Sequence, residues 1–249
     1  MTVNFLIAPD FAPERFGGWH MLNTALQRRS GVGLHLLTPA GAAEQAQLIA
    51  QGKADLVYAN PFDATDMIRQ QGYVPFARPV ARYDEMVIAA GVQSPAARVE
   101  DLSKGLRVAL TDNKDVKLIG LRLLEPADIT EADIQWVPVD SYQAAARLAI
   151  KGEVDAAFFL AEAHASLSRM TRSQLKVLVE SAIHDISHVV IAHPRIQDQV
   201  PAISAALFAI GGDTAGRDIL DALGLPGGFE PMSQEDAEFM IDLMDTLLD

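Results

Sequence analysis

Acidic side chains stand where several predicted strands end. In open α/β sheets, ligands bind beyond the carboxyl ends of the strands, so these acids are candidate ligand contacts. The set comprises Asp10 after the first apolar run, Asp112 and Asp115 after LRVAL, Asp140 after IQWVPV, and Glu162 after AAFFLA. Only Lys114 and Lys117 oppose them nearby. This balance favours a cationic, zwitterionic or neutral polar ligand over a simple oxyanion.

Three of these acids have a second interpretation. Asp112, Asp115 and Asp140 each precede a predicted helix, where a carboxylate commonly caps the free backbone N–H groups. Glu162 could equally contact a ligand or pack inside its domain. Uncharged and aromatic residues at the strand ends complete the predicted binding set, namely Phe11, Gly41, Tyr58, Asn60, Thr111 and Ser141. For Tyr58, ligand contact and packing both stay open.

Motifs for other chemistry are missing or weak. His184 and His188 are four residues apart and could share a helix face as metal ligands, but HDISHVVIA reads as the entry to a strand, with no third ligand nearby. Neither the nucleophile-elbow pattern G-x-S-x-G nor the phosphate-binding pattern G-x-x-x-x-G-K-[ST] occurs. We therefore expect no catalytic residue, no cofactor and no metal site.

A repeated segment indicates how the candidate residues are positioned. LIAQGKADLVYA at Leu48–Ala59 is matched by LAIKGEVDAAFF at Leu148–Phe159. In each, a helix predicted to end at glycine is followed by an aspartate and a short buried strand. Local physics alone could produce this likeness, since the pattern is common in α/β proteins. With the surrounding β-α-β-α-β order, it predicts two similar α/β lobes with parallel, doubly wound sheets.

Composition narrows the function classes. The chain has 249 residues, 49% hydrophobic and 21% charged, which is typical of a globular protein. Its net charge of −13 argues against nucleic-acid partners. No apolar run is long enough for membrane insertion, and the absence of cysteine excludes disulfides and thiolate metal sites. The start MTVNFLIAPD predicts a cytoplasmic protein if Met1 is native, or a periplasmic one if a signal peptide was removed.

Five segments, in order, resemble the substrate-binding proteins of phosphonate and phosphite ABC importers. They are VNFLIAPD, QGKADLVYANP, EDLSKGLRVAL, AARLAIKGEVDAAFF and LGLPGGFEPMSQEDAEFM. The resemblance implies a type II periplasmic-binding fold with two lobes joined by a two-strand hinge. Residues 1–83 plus 189–249 would form lobe one and residues 84–188 lobe two. A small-molecule ligand would be captured in the interlobe cleft for an ABC permease or a sensor protein.

The resemblance also assigns roles to single residues and shows one departure. Tyr58 falls where the family has an aromatic residue beside the ligand, Asn60 keeps a polar position, and Glu162 aligns with a carboxylate that holds the ligand's amino group. The family's Ser-Thr-Ser run, which holds the anion, aligns with Asp115, Val116 and Lys117. A plain phosphonate is therefore not the expected ligand. The alternative function is a cytoplasmic lyase-type enzyme on the same two-lobed fold.

Overall fold

The computed structural model describes residues 2–11 and 13–248. Their contacts divide into two compact units, one formed by residues 2–83 and 185–244 and the other by residues 84–184 and 245–248. We call them unit 1 and unit 2. The strands are β1 (Val3–Ile7), β2 (Leu34–Leu37), β3 (Leu56–Ala59), β4 (Val74–Pro79), β5 (Met86–Gly91), β6 (Arg107–Leu110), β7 (Gln135–Pro138), β8 (Ala156–Leu160), β9 (Leu175–Glu180), β10 (Val189–Ala192) and β11 (Phe229–Pro231).

Helices cover both sheets and connect most of the strands. The α-helices are α1 (Phe16–Ser30), α2 (Ala42–Ala50), α3 (Pro61–Gln71), α4 (Lys114–Leu123), α5 (Tyr142–Lys151), α6 (Ala161–Ser166), α7 (Arg169–Arg172), α8 (Val200–Phe208), α9 (Thr214–Leu223) and α10 (Gln234–Leu248). Short 3-10 helices occupy Pro13–Arg15, Val99–Asp101, Glu125–Ala127, Glu131–Asp133, Pro194–Ile196 and Ile210–Gly212.

Unit 1 contains a mixed six-stranded sheet in the order β11-β4-β10-β3-β1-β2. Strand β1 pairs in parallel with β2 and β3, whereas β10 runs antiparallel to β3 and β4. Alternation along β1 sends Phe5 and Ile7 to one face, where Trp19 of α1 packs, and Leu6 to the other face. Met240 of α10 joins Leu6 on that second face, so helices cover both sides of the sheet.

Unit 2 contains a five-stranded sheet in the order β7-β6-β8-β5-β9. Strand β6 pairs in parallel with β7 and β8, and β5 is antiparallel to β8 and β9. Small residues of α5, such as Ala145 and Ala149, pack on Phe159 and let the helix lie close to the strands. On the other face, Gly120 of α4 leaves room for the ring of Phe158. A Cβ at position 120 would lie only 2.2 Å from an atom of that ring.

The predicted fold class of two doubly wound α/β lobes is confirmed, with one correction to the sheets. The sequence pattern predicted parallel sheets, and β1, β2 and β3 are parallel, but each sheet also contains antiparallel strands. Strand β11 lies in the Gly/Pro-rich stretch GLPGGFEP, and its three residues pair with β4. Such a short edge strand depends on its pairing partner, which the local sequence does not specify.

The repeated segment closes an equivalent corner in each unit. Gly52 and Gly152 have φ of 66° and 70°, as predicted for residues that end helices. A carboxylate oxygen of Asp55 accepts a hydrogen bond from the Asn4 N–H at 2.7 Å, and Asp155 accepts one from the Arg107 N–H at 2.7 Å. Each aspartate thus ties the start of its own strand to the start of the neighbouring parallel strand.

Each corner also contains an arginine. Arg195 donates from Nε to Asp55 and from Nη2 to the Gly52 carbonyl at 2.7 Å. Arg107 makes the matching contacts, from Nε to Asp155 at 3.3 Å and from Nη2 to the Gly152 carbonyl at 3.4 Å. The Asp55 side chain is 4% exposed and the Asp155 side chain is 45% exposed. The repeat therefore serves the stability of both units.

Candidate functional site

The carboxyl ends of β2, β1 and β3 lie at one edge of the unit 1 sheet, because these strands are parallel neighbours. Strand β10 is antiparallel to β3 and begins at the same edge, with Val189 opposite Ala59. Asp10 follows β1 and His188 immediately precedes β10. Strand order thus brings together two polar side chains 178 residues apart.

Asp10 and His188 form a hydrogen-bonded pair. The Oδ1 of Asp10 lies 3.2 Å from the Nε2 of His188, and the side chains are 16% and 13% exposed. Burial alone would raise the pKa of Asp10. The charge and hydrogen bond of His188, the Asp10 backbone N–H and the Asn60 side chain outweigh it and hold this pKa below its usual value. Asp10 is therefore a carboxylate over the neutral pH range.

Aromatic rings enclose Tyr58 beside this pair. The His188 ring stacks on the Tyr58 ring with centroids 4.9 Å apart. The centroid of the Trp19 ring lies 4.7 Å from that of Tyr58. Phe11 contacts the edge of Trp19 at 6.1 Å. Tyr58 is only 7% exposed, so packing accounts for most of its surface. The Nε1 of Trp19 is buried without a hydrogen-bond partner among the described residues.

Asn60 joins the pair to a second polar network. Its side chain caps α3 by accepting a hydrogen bond from the Asp63 N–H at 2.8 Å, and its amide donates to the Asp63 carboxylate at 3.0 Å. The buried Gln45 of α2 donates to the same carboxylate. Gly41 precedes α2, and its carbonyl accepts from the Gln45 N–H at 3.1 Å. Asp10, Asn60 and Gly41 are thus linked through one network.

We call Asp10, Phe11, Tyr58, Asn60 and His188 the unit 1 tip residues.

The remaining predicted residues collect at one edge of the unit 2 sheet. Strands β7, β6 and β8 are parallel neighbours, so the connections that follow them share that edge. We call this group the unit 2 tip residues, namely Thr111 and Asp112 after β6, Asp115 in the first turn of α4, Asp140 and Ser141 after β7, and Glu162 in the first turn of α6. The Thr111 hydroxyl is buried and makes no hydrogen bond to any described residue.

The capping interpretation of the three aspartates is wrong. Asn113 caps α4, its side chain accepting a hydrogen bond from the Val116 N–H at 3.0 Å. Ser141 caps α5 and accepts from the Ala144 N–H at 3.2 Å. Asp112, Asp115 and Asp140 therefore lie beside the caps without being caps. Asparagine, serine and aspartate side chains can all accept a hydrogen bond from the first backbone N–H groups of a helix. The sequence alone therefore does not show which of several adjacent residues is the cap.

The stretch that the resemblance aligns with the family's hydroxyl run contains different groups at the start of α4. Asp115 is 4% exposed and Val116 is 1% exposed. Lys117 donates to Glu131 and lies over the Trp136 ring at 5.1 Å. The side chain of Asn113 accepts a hydrogen bond from a backbone N–H of the first turn of α4, so this N–H is already paired. Asp115 and Val116 provide a carboxylate and an apolar side chain in place of the hydroxyl donors.

The sequence did not predict His188 as one of the unit 1 tip residues. The spacing of the histidines suggested His188 only as a candidate metal ligand. The position of His188 in the sequence was the available signal. His188 immediately precedes a buried strand, so it must lie at one end of that strand. Whether this end meets the ends of β1 and β3 depends on the antiparallel direction of β10, which the sequence did not predict. Within the described residues, no group of three His, Cys, Asp or Glu side chains could hold a metal ion.

None of the helices in the described part of the chain is long and apolar enough to span a membrane. No curated protein sequence matches the chain. Solved structures do resemble it in fold. A binding protein of an ABC phosphonate transporter from Pseudomonas aeruginosa is 16% identical, with 100% of this chain and 89% of that chain covered and a TM-score of 0.75.

Two further structures show the same fold. PhnD1 from Prochlorococcus marinus, in complex with methylphosphonate, is 13% identical, with coverage of 99% and 98% and a TM-score of 0.83. The periplasmic aliphatic sulphonate-binding protein SsuA from Escherichia coli is 16% identical, with coverage of 99% and 86% and a TM-score of 0.69. The sequence profile of the ABC transporter, phosphonate, periplasmic substrate-binding proteins matches residues 5–237. The chain therefore belongs to the family of phosphonate-type periplasmic substrate-binding proteins of ABC transporters.

Proposed function

We propose that this protein binds a small polar solute that carries a cationic group, and that the unit 2 tip residues hold this group. The proposal depends on the polar groups at the connection between β6 and α4. Asp115 is buried beside a helix end that Asn113 caps, and the buried Thr111 hydroxyl has no hydrogen-bond partner among the described residues. A buried polar group without a partner is costly, so a ligand that bonds to Thr111 would be favoured.

Charge at the unit 2 tip supports a cationic group. Asp112, Asp115, Asp140 and Glu162 lie at this edge, with Lys114 as the cation in the same corner. Of these four acids, Asp115 is 4% exposed and Glu162 is partly buried, whereas Asp112 and Asp140 are exposed. A carboxylate that is shielded from water strongly favours a nearby ammonium and repels a second anion, so Asp115 and Glu162 account for most of this preference. Methylphosphonate, the ligand in the Prochlorococcus marinus structure, has no cationic group. The expected solute is therefore an amine-bearing analogue or an amine without the phosphonate.

The Asp10–His188 pair at the unit 1 tip is suited to a polar ligand. The partly exposed carboxylate of Asp10 offers an acceptor at one edge of the sheet. The ring of Tyr58, which packs against Trp19, stacks on the His188 imidazole and holds it in place. The resemblance predicts that residues of both tips contact one ligand, and this stays a prediction.

Family membership supports a proposal for the partner and the compartment. Its members bind small molecules and work with ABC transporter components, and its description is periplasmic. We propose the same role here, with a permease as the partner that receives the ligand. Family membership favours binding over the lyase-type alternative.

A matched pair of ligands tests the proposal. Thermal-shift measurements with aminomethylphosphonate and methylphosphonate, followed by a wider screen of amines and amino acids, compare solutes with and without an ammonium group. We expect stabilisation by amine-bearing solutes, since a ligand at about 100 times its Kd adds about 2.7 kcal/mol to the stability of the folded state. Proton NMR of the mixture should show the ligand unaltered. Preference for the amine-free partner, or conversion of the ligand, would contradict the proposal.

A further inference from the structure

A pocket in unit 2 shares no residue with the predicted binding set. It has a volume of about 400 Å³ and lies between α5 and the segment around α7. Its lining residues are Gln143, Arg147, Ile150, Lys151, Ser166, Leu167, Ser168 and Thr171. We call it the α5–α7 pocket. Ligand pockets commonly measure about 300–1,000 Å³, so this volume suits a small solute.

The pocket is basic in a strongly acidic protein. None of its lining residues is acidic, although the chain has 33 acidic and 20 basic residues. Arg147 and Lys151 lie four residues apart on α5, so their side chains share a helix face. The Arg147 guanidinium makes no hydrogen bond or ion pair with any described residue. Lys151 approaches Glu153 at 3.4 Å, but both side chains are more than half exposed, so this ion pair is weak.

The other polar groups of the pocket mostly donate. The Gln143 amide makes no hydrogen bond to the described residues. The hydroxyls of Ser168 and Thr171 lie 2.9 Å apart, so one donates to the other and the second proton stays available. Ile150 and Leu167 supply an apolar wall. Two cations, an amide and a hydroxyl proton around a concave surface match the acceptor oxygens of a dianion.

We propose that the α5–α7 pocket binds a small phosphate-bearing anion, such as a phosphomonoester or a diphosphate. The site is independent of the unit 2 tip residues and has the opposite charge preference. The protein would thus bind a cationic group at the strand ends and a phosphate group on the helical face of the same unit.

The test uses inorganic pyrophosphate as the probe, with calorimetric titration of the full chain. We expect the double variant Arg147→Gln/Lys151→Gln to bind pyrophosphate at least about tenfold more weakly, a change of about 1.4 kcal/mol. Arg28→Gln/Lys53→Gln is the matched control, because it removes two exposed positive charges from unit 1, outside the lining set. The affinity of this control for pyrophosphate should change by less than about twofold, since it removes no contact.

A second measurement locates the site. In an NMR titration with pyrophosphate, the backbone amide signals of residues 143–151 and 166–171 should shift together. Equal affinity of the wild type and the double variant would overturn the proposal, as would shifts confined to other residues. Absence of heat and of shifts up to about 10 mM pyrophosphate would also overturn it, since a Kd of about 1 mM corresponds to about −4.1 kcal/mol. Far-UV circular dichroism of each variant confirms that it is folded.

Discussion

The two repeated corners should differ in their contribution to stability, although their hydrogen bonds match. Replacing Asp55 with Ala removes the acceptor of the Asn4 N–H and the partner of Arg195 at a side chain that is 4% exposed. Breaking a buried pair by deleting one partner costs about 3–5 kcal/mol. Arg195 is 32% exposed and regains some hydration, so we expect the lower end of this range, about 3 kcal/mol.

Asp155→Ala should cost much less. Its side chain is 45% exposed and that of Arg107 is 43% exposed, so water replaces most of the lost contacts. An exposed ion pair contributes about 0.2–1 kcal/mol, and we expect a total near 1 kcal/mol. With a urea m-value of about 2 kcal/mol per M, the midpoints should fall by about 1.5 M for Asp55→Ala and about 0.5 M for Asp155→Ala.

The two tryptophans allow each unit to be followed separately. Trp19 lies in unit 1 and Trp136 in unit 2. Urea unfolding monitored by fluorescence in a Trp136→Phe background reports unit 1, and a Trp19→Phe background reports unit 2. Asp55→Asn, which keeps an acceptor for the Asn4 N–H, should fall between the wild type and Asp55→Ala. Equal losses at the two aspartates, or a larger loss at Asp155, would refute the argument from burial.

Three further predictions concern a glycine, the acid range and the ligand. Gly216→Ala should destabilise unit 1 by at least about 1–3 kcal/mol in thermal melts, because the added Cβ would lie 1.6 Å from the Ile210 carbonyl oxygen. Gly212→Ala is the control, since a Cβ at position 212 would lie in open space. The pKa of Asp10 is held below its usual value of 3.8 in the folded state, so its ionised form stabilises the protein above about pH 4, and this contribution is lost as the pH falls through the folded-state pKa. The melting temperature of Asp10→Asn should therefore lie below that of the wild type at neutral pH. The two melting temperatures should converge as the pH falls through the folded-state pKa of Asp10, and a constant difference would contradict the assignment. Glu162→Gln should weaken binding of an amine-bearing ligand at least about tenfold in calorimetry with almost no change in melting temperature, and a large fall in melting temperature would show a structural role instead.

Local patterns in the sequence were sufficient for the elements that surround the site. Buried runs such as Val3–Ile7 and the glycine stops at Gly52 and Gly152 act over a few residues, and the repeat they form predicted the two α/β units. The same patterns placed Asp10 and Thr111 at strand ends. The positions of strands and helix ends were therefore predictable from neighbouring residues.

Contacts between distant segments were not predictable in the same way. Arg195 reaches Asp55 across 140 residues, and His188 reaches Asp10 across 178 residues, because β10 runs antiparallel beside β3. The choice of Asn113 and Ser141 as caps depends on one-residue differences in where α4 and α5 begin. The two long-range contacts are set by tertiary packing, which a single sequence does not specify.

The proposed cation site is best examined in a crystal structure with the tightest-binding amine-bearing solute. We expect the ammonium nitrogen to lie within hydrogen-bonding distance, about 2.7–3.2 Å, of the carboxylate of Asp115 or Glu162. We also expect a ligand atom to form a hydrogen bond with the Thr111 hydroxyl. A ligand bound away from the strand ends of unit 2, or one whose ammonium points away from these carboxylates, would contradict the proposal.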